Sequence, residues 1–454
     1  MLKRSLLIVL VITVCTFVFN GSSCADNGQR TDSIVSYQDY LMKQAQLPEI
    51  PHCPDINNSD EWDEATLARF DEWWDAKSEH QALQIPDAAL LQDFVRSSTR
   101  SLLADQGTAN FLYSPVSLWM CLHTLSDLTE GDSQAQILQV IGRQSDADRD
   151  KQLDAVFNAL YWEEDASVCA PAMSVWLNKS TGISDSLMDR LAALHNSVFQ
   201  GDMADEAYST ALRLWLNEQT RGLLKDSVSG LRFAPDAGLS VSSTLYLKSS
   251  WSTPFDVSKT ANDVFYAPDG EHSTAFMHSS DEGVVFRGDG FTAAIVNFRD
   301  GGGVVFVLPD EGKDPAELLS EDGVYRFLFT EKEEADGLYG KVNLTVPKFD
   351  FLTAMPLRST LEKMGITDIF DAGAACFSPE LYIQARQSVS SLDQYARLKL
   401  DEEGVEAAAI TITDVLTMLR PSENEIDFTL NRPFLYAVMA DKNIPLFIGT
   451  YYTP

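Results

Sequence analysis

The chain has 454 residues, 45% of them hydrophobic and 22% charged, which is ample for a large core in one domain or two. Asp and Glu number 67 against 34 Lys and Arg, a formal charge of −33. So acidic a surface repels phosphate backbones and argues against nucleic acid as a partner; it suits solubility and, more weakly, a cationic partner.

The N-terminus, "MLKRSLLIVLVITVCTFVFNGSSCADNGQ", opens with Lys3 and Arg4 and continues in an apolar run, Leu6 to Phe19, that is shorter than a bilayer span. Ser23 and Ala25 then suit the small-residue cleavage rule, so residues 1–25 read as a secretory signal peptide and the protein is expected to be secreted. The rival reading is a lipoprotein signal acylated at Cys24, although "GSSC" lacks the usual aliphatic residue three places before the cysteine. No other run is long enough to span a membrane. Residues 26–85 form an acidic extension. Within it, "SDEWDEATLARFDEWWDAKSEH" fits a helix capped at Ser59 or Asp60, with Trp62, Phe70 and Trp73 as its apolar side, packed on the main body.

From Pro86 the pattern is globular and runs to residue 454. "PDAALLQDFVRSSTRSLLADQG" sets Leu91, Phe94, Val95, Ser98 and Leu102 on one helical face and stops at Gly107. "SPVSLWMCLHTL" opens a second helix, with Ser114 as N-cap and Pro115 in the first turn. Helical text continues to about residue 225. Strands dominate afterwards: "GGGVVFVLP" as a buried run, "KVNLTVPKFDF" alternating through Val342, Leu344 and Val346, and "YARLKL" through Ala396, Leu398 and Leu400. "FTLNRPFLYAVMADKNIPLFIGTYY" reads as two strands joined at "ADKN". Helices first and strands later predict an α+β fold, not βαβ repeats.

Chemical motifs are missing. The sequence has no G-x-S-x-G, H-E-x-x-H, Walker loop or Rossmann fingerprint, and Gly301–Gly303 precede a strand, as in a hairpin turn. His123 lies in an apolar helix and reads as a satisfied core residue; His272 and His278 flank a strand and read as exposed. Cys53, Cys121, Cys169 and Cys376 are far apart, with no C-x-x-C, so neither a metal nor a cofactor is expected; Cys121 reads as a buried free thiol. Sequons stand at Asn57, Asn178 and Asn343.

One segment contradicts itself. In "DEEGVEAAAITITDVLTMLRPSENE", from Asp401 to Glu425, helix formers run into strand formers with no turn between them. Such local conflict marks a functional or strained site. Counted from Val405, the alternate set is Val405, Ala407, Ala409, Thr411, Thr413, Val415 and Thr417, all small or β-branched and uncharged. The other set carries Glu406 and Asp414. A strand of this kind could enter a sheet and bury one face only.

Several ordered blocks over residues 86–454 resemble the serpin family. "NFLYSPVSLWMCL" is similar to its N-[IL]-[FL]-x-S-P-x-S-[IL] helix, and "STLYLKSSWSTPFD" to its strand ending in G-x-W-x-x-P-F. "VPKFDFLTAMPLRSTLEKMGITDIF", "LKLDEEGVEAAAITIT" and "LNRPFLYAVMADKNIPLFIGTYYTP" are similar to its P-K-F block, hinge and C-terminus.

The resemblance implies an α+β serpin fold of helices, three β-sheets and an exposed reactive-centre loop at about 402–425. It also implies a monomer without enzymatic turnover, a suicide inhibitor that traps a serine protease by loop insertion. The hinge would be Glu402, Glu403, Gly404, Val405, Glu406, Ala407, Ala408 and Ala409, with Gly404 able to change φ freely. Lys348 and Glu402 would pair where the sheet opens, with Trp251 packed nearby and Ser114 and Ser117 beneath the parting strands. Gln394 and Ser243 stand where the family has His and Asn; both can still hydrogen-bond. The reactive bond would be Met418–Leu419, fourteen places beyond Gly404, which suits a protease with an apolar primary pocket, of chymotrypsin, elastase or subtilisin type. The alternative is a non-inhibitory serpin, a carrier, chaperone or storage protein.

Overall fold

A computed structural model describes residues 9–20, 35–50, 64–103, 107–142, 145–164, 167–224, 227–299, 301–329, 336–383, 387–402, 424–440 and 443–454. Its helices are α1 (Glu64–Ala82), α2 (Ala88–Leu103), α3 (Pro115–Asp127), α4 (Gly131–Ile141), α5 (Asp146–Leu160), α6 (Asp185–Ala193), α7 (Glu206–Gln219), α8 (Pro315–Ser320), α9 (Asp322–Phe329) and α10 (Arg358–Lys363). Sequence spacing explains the first two of the main body. Helix α2 buries Leu91, Phe94, Val95, Ser98 and Leu102, as its 3.6-residue period requires, and Thr99 besides. Ser114 caps α3: its hydroxyl accepts from the Ser117 N–H, and the helix is buried from Pro115 to Ser126.

The described strands form three sheets. The central one comprises β14 (Phe349–Pro356), β16 (Ser388–Leu400), β1 (Val9–Asn20), β8 (Leu239–Ser249), β5 (Val168–Asn178), β7 (Asn196–Gly201) and β2 (Leu41–Lys43) in that order, with β4 (Trp162–Glu163) on β5. A second sheet runs β17 (Glu425–Thr429), β13 (Asp336–Pro347), β10 (Gly270–Gly288), β11 (Phe291–Asn297), β12 (Gly303–Pro309), β18 (Phe434–Met439), β19 (Pro445–Tyr451) and β3 (Phe111–Tyr113), with β9 (Ala261–Ala267) on β10. The third pairs β15 (Leu381–Tyr382) with β6 (Gly182–Ile183).

Four sequence expectations need correction. The stretch read as helical to about 225 contains β5 and β7, two strands of the central sheet. Both faces of β5 are covered: Met173, Val175 and Leu177 join the main core, while Trp176 packs on the opposite side with α7. A strand buried on both sides shows no polar alternation, so its period is hidden. The C-terminal tail makes three strands, because Phe428 and Thr429 end β17. His272 and His278 lie within β10 and are half-buried; His278 Nδ1 sits 3.1 Å from Thr345 Oγ1. His123 is buried, but neither ring nitrogen has a hydrogen-bond partner among the described residues; its ring packs 3.9 Å from that of Trp119. Burial, with Arg149 nearby, holds its pKa well below the ordinary imidazole range.

The described parts of the extension lie on the body. Strand β2 pairs with β7 and forms the edge of the central sheet, Tyr37 donates to Glu218 on α7 at 2.6 Å, and Lys43 reaches Asp189 at 2.6 Å. Trp73 on α1 is buried and donates to Glu164 at 2.5 Å. Ser59, Asp60 and Trp62 lie outside the described residues, as do Ala25, Cys24, Cys53 and Asn57.

Candidate functional site

Strands β8 and β16 flank β1 in the central sheet. Strand β1 runs antiparallel to both, with ten residues in register on β8 and eleven on β16. Contacts that hold the seam between β8 and β16 gather at two places.

The first lies where both strands end. Trp251, two residues past β8, is fully buried, and its Nε1–H donates to the Asp401 carbonyl beyond β16 at 2.9 Å. Its ring stacks on Phe298 at 5.3 Å and meets Phe255 edge-on at 6.1 Å. Lys348, between β13 and β14, donates to Glu402 Oε2 at 2.6 Å. Thr260 donates to Glu402 Oε1 at 2.6 Å, and the Phe255 N–H to the Glu402 carbonyl at 3.2 Å. Burial alone would raise the Glu402 carboxyl, but the hydrogen bonds from Lys348 and Thr260 outweigh it and hold the pKa below the ordinary range. The residue stays ionised at 4% exposure, so breaking this pair would strand a buried charge.

The second lies beneath the sheet at the start of α3. Gln394 on β16 is fully buried and clasps the Ser114 backbone: the Ser114 N–H donates to its Oε1 at 3.0 Å, and its Nε2 donates to the Ser114 carbonyl at 3.0 Å. Ser117 and Ser243 on β8 share a hydroxyl–hydroxyl bond of 2.9 Å. Helix α3 is thus tied to both flanks of the seam. The sequence reading named Lys348, Glu402, Trp251, Ser114, Ser117, Ser243 and Gln394, and the structure gathers them into these two groups. It did not name Thr260, Phe298, Phe255 or Asp401. Phe255 sat within the quoted "STLYLKSSWSTPFD" block and Asp401 headed the bait segment, whereas Thr260 and Phe298 meet the site only through folding.

Glu403, Gly404, Val405, Glu406, Ala407, Ala408 and Ala409, and Met418 and Leu419, lie outside the described residues. Cys121 is buried, Cys169 and Cys376 are free thiols, and burial pushes the Cys169 thiol up to about 12, so it stays protonated near neutral pH. Among the described residues, no group of three His, Cys, Asp or Glu is placed to hold a metal, and no helix is long and apolar enough to cross a membrane.

Comparison with known proteins bears on this geometry. A family profile described as "Serpin (serine protease inhibitor)" matches residues 89–454. Alpha-1-antitrypsin of Meriones unguiculatus is 25% identical over 385 residues, covering 81% of this chain and 90% of its own. An uncharacterized serpin-like protein of Thermococcus kodakarensis is 31% identical over 265 residues, 56% of this chain and 58% of its own. Among solved structures, tengpin, a thermophilic serpin in its native state, superposes with a TM-score of 0.69 at 22% identity, over 82% of this chain and 95% of its own. Human thyroxine-binding globulin gives 0.69 at 20% identity, over 82% and 99%. With a family profile matched over most of its length, this chain belongs to the serpin family.

Proposed function

We propose that this serpin is a secreted suicide inhibitor of serine proteases with an apolar primary pocket. Its leader would be removed near Ala25, and its bait is the segment at about 402–425. The protease serine hydroxyl attacks the Met418 carbonyl, the Met418–Leu419 amide breaks, Leu419 leaves as a free amine, and Met418 stays esterified to the protease. The freed segment then folds back from Glu402 and enters the central sheet between β8 and β16, carrying the acyl-enzyme with it.

The observation that carries this reading is the position of β1. The seam between β8 and β16 accepts a full antiparallel strand. A segment that turns back after β16 has that same direction, and its set from Val405 to Thr417 has no charge to bury. Loss of the leader takes β1 away and leaves the place to the bait segment. Thyroxine-binding globulin among the structural neighbours favours a carrier. Against that reading, the alternate set Val405, Ala407, Ala409, Thr411 and Thr413 has no proline and no charge that would keep the segment out of a sheet.

The test is incubation with chymotrypsin, elastase, subtilisin and trypsin, followed by a denaturing gel and a melting curve of the nicked protein. The expected result is a denaturation-resistant complex with at least one of the first three, little or none with trypsin, and a melting temperature raised by tens of degrees on nicking. A clean nick with an unchanged melting curve and no complex would favour the carrier.

A further inference from the structure

The extension is fastened to the corner where α6 gives way to β7. Just past β2, the Ala45 N–H and Gln44 Nε2 donate to Ser197 Oγ at 3.2 and 3.4 Å, and the Gln46 N–H donates to the Ala192 carbonyl at 2.9 Å. His195, between α6 and β7, closes this corner. Its backbone is left-handed, at φ 64°, a conformation that a non-glycine residue holds only where its surroundings enforce it. The residue is buried, and its ring stacks on Phe157 of α5 with centroids 3.9 Å apart.

Both ring nitrogens are engaged. Nδ1 stands 2.6 Å from the Gln46 carbonyl oxygen, and Nε2 stands 3.0 Å from Asp154 Oδ1 on α5. A carbonyl and a carboxylate only accept hydrogen bonds. A ring that satisfies both must therefore carry two protons, as an imidazolium; a neutral ring turns a lone pair on one of them. Charges on the neighbouring elements are committed elsewhere. On α6, Arg190 donates to Asp127 and Asp150 at 3.1 and 2.9 Å, Asp189 holds Lys43 of the extension at 2.6 Å, and Asp185 stands at the far end. On α5, Arg149 is held by Asp127 and Asp146, and Lys151 faces Asp148. Strand β7 has no charged residue, and Asp39 and Glu49 of the extension are exposed. Asp154 is the charged group that reaches the ring.

We propose that His195 is a pH-sensitive latch on the extension. Charged, it joins residues 44–46 to α5 through two hydrogen bonds from one cation. Neutral, it gives up one bond and the charge assistance of the other. Asp154 has a side chain 52% exposed and can turn to water, so the bond that remains is the weakened one to Gln46. The extension is therefore held hardest in mildly acidic surroundings, and its grip on the edge of the central sheet loosens as pH rises through the imidazole range. The latch depends on neither bait nor protease, so it stands apart from the inhibitory reading above.

The test is hydrogen exchange of the purified protein, read as protection factors for the β2 and Gln46 amides, which divide out the pH dependence of intrinsic exchange. Protection should fall about tenfold between about pH 5.5 and about pH 8, the scale of charge assistance in one hydrogen bond. Asp154→Asn separates the latch from general loosening. Its amide can donate to Nε2 of a neutral ring whose Nδ1–H stays on Gln46, so protection should change less than about twofold over the same range. Asp154 lies on the surface, so this variant should fold. Protection that does not fall with pH in the parent protein, or a fall of the same size in Asp154→Asn, overturns the proposal.

Discussion

The clasp between Gln394 and Ser114 invites the sharpest perturbation of the seam. Gln394→Leu keeps a side chain of similar volume and removes both hydrogen bonds. The Ser114 carbonyl retains a second donor, the Leu118 N–H at 3.3 Å, as part of α3. The Ser114 N–H donates to Gln394 Oε1 at 3.0 Å, and no second acceptor stands near it among the described residues. One buried donor left unsatisfied costs roughly 1–3 kcal/mol, and the lost second bond about 1 kcal/mol, so the variant should lose about 2–4 kcal/mol. The unfolding entropy of a domain of this size is about 0.8 kcal/mol/K, which makes that loss a fall of about 3–5 °C in melting temperature. Scanning calorimetry on the native protein reads it directly. Gln394→Glu sharpens the comparison. The introduced carboxylate would face the Ser114 carbonyl while buried, and burial raises its pKa in the fold above the unfolded value. Such a group adds stability at low pH and loses it as pH rises, so this variant should approach the parent protein near pH 5 and fall below Gln394→Leu near pH 8. If Gln394→Leu melts with the parent protein, the clasp does not hold β16 to α3, and the argument for a polar lock at this point is wrong.

Three further outcomes are expected. Ala409→Arg should leave the native melting curve unchanged but turn the inhibitor into a substrate, because an arginine would have to be buried during insertion; full trapping by this variant would refute the insertion reading. Mass spectrometry of the released C-terminal fragment should find it starting at Leu419, and a fragment starting at Pro421 would sink the assignment. His123 gives the pH dependence: its folded pKa is depressed, so stability is full above the ordinary imidazole value near 6.5 and falls by about 1.4 kcal/mol per unit as pH drops below it. His123→Phe should flatten that slope between pH 7 and 5, and parallel curves for the two proteins would show that the buried imidazole is not its source.

Amphipathic elements were the easiest to read from sequence. Helix α2 and strand β13 show a clean period because one face meets the core and the other meets water, and β16 alternates fully with partly buried residues. Strand β5 was misread for the opposite reason: with both faces buried, nothing in its residue order separates it from helical text. His123 was misjudged because partners are properties of space, and an apolar helix can bury a polar ring without supplying any. The paired site residues came from block resemblance and not from spacing. Lys348 and Glu402 are 54 positions apart, and Ser114 and Gln394 are 280 apart, so no local rule connects them. Thr260 and Phe298 escaped because they belong to no block and only the fold brings them to Glu402 and Trp251.

The energetic scale of the seam follows from these contacts. Three polar links tie its flanks to each other or to α3: Trp251 to Asp401, Gln394 to Ser114 and Ser117 to Ser243, while Lys348 anchors Glu402 just beyond β16. Each is worth about 0.5–3 kcal/mol net, and none is replaced by apolar packing between the flanks. An added strand of β1's extent pairs its backbone with two neighbours at once, over ten residues on one side and eleven on the other. At even a few tenths of a kcal/mol per residue beyond its ordering cost, its gain matches or exceeds the locks it displaces. On the inhibitory reading insertion would then be downhill, delayed by small barriers along the seam: the polar contacts where β8 and β16 end and the clasp beneath the sheet at the start of α3. A lock weakened singly should speed opening without reversing its direction. That is why the melting temperature of the native form, and not that of the nicked form, is the quantity in which each lock should appear.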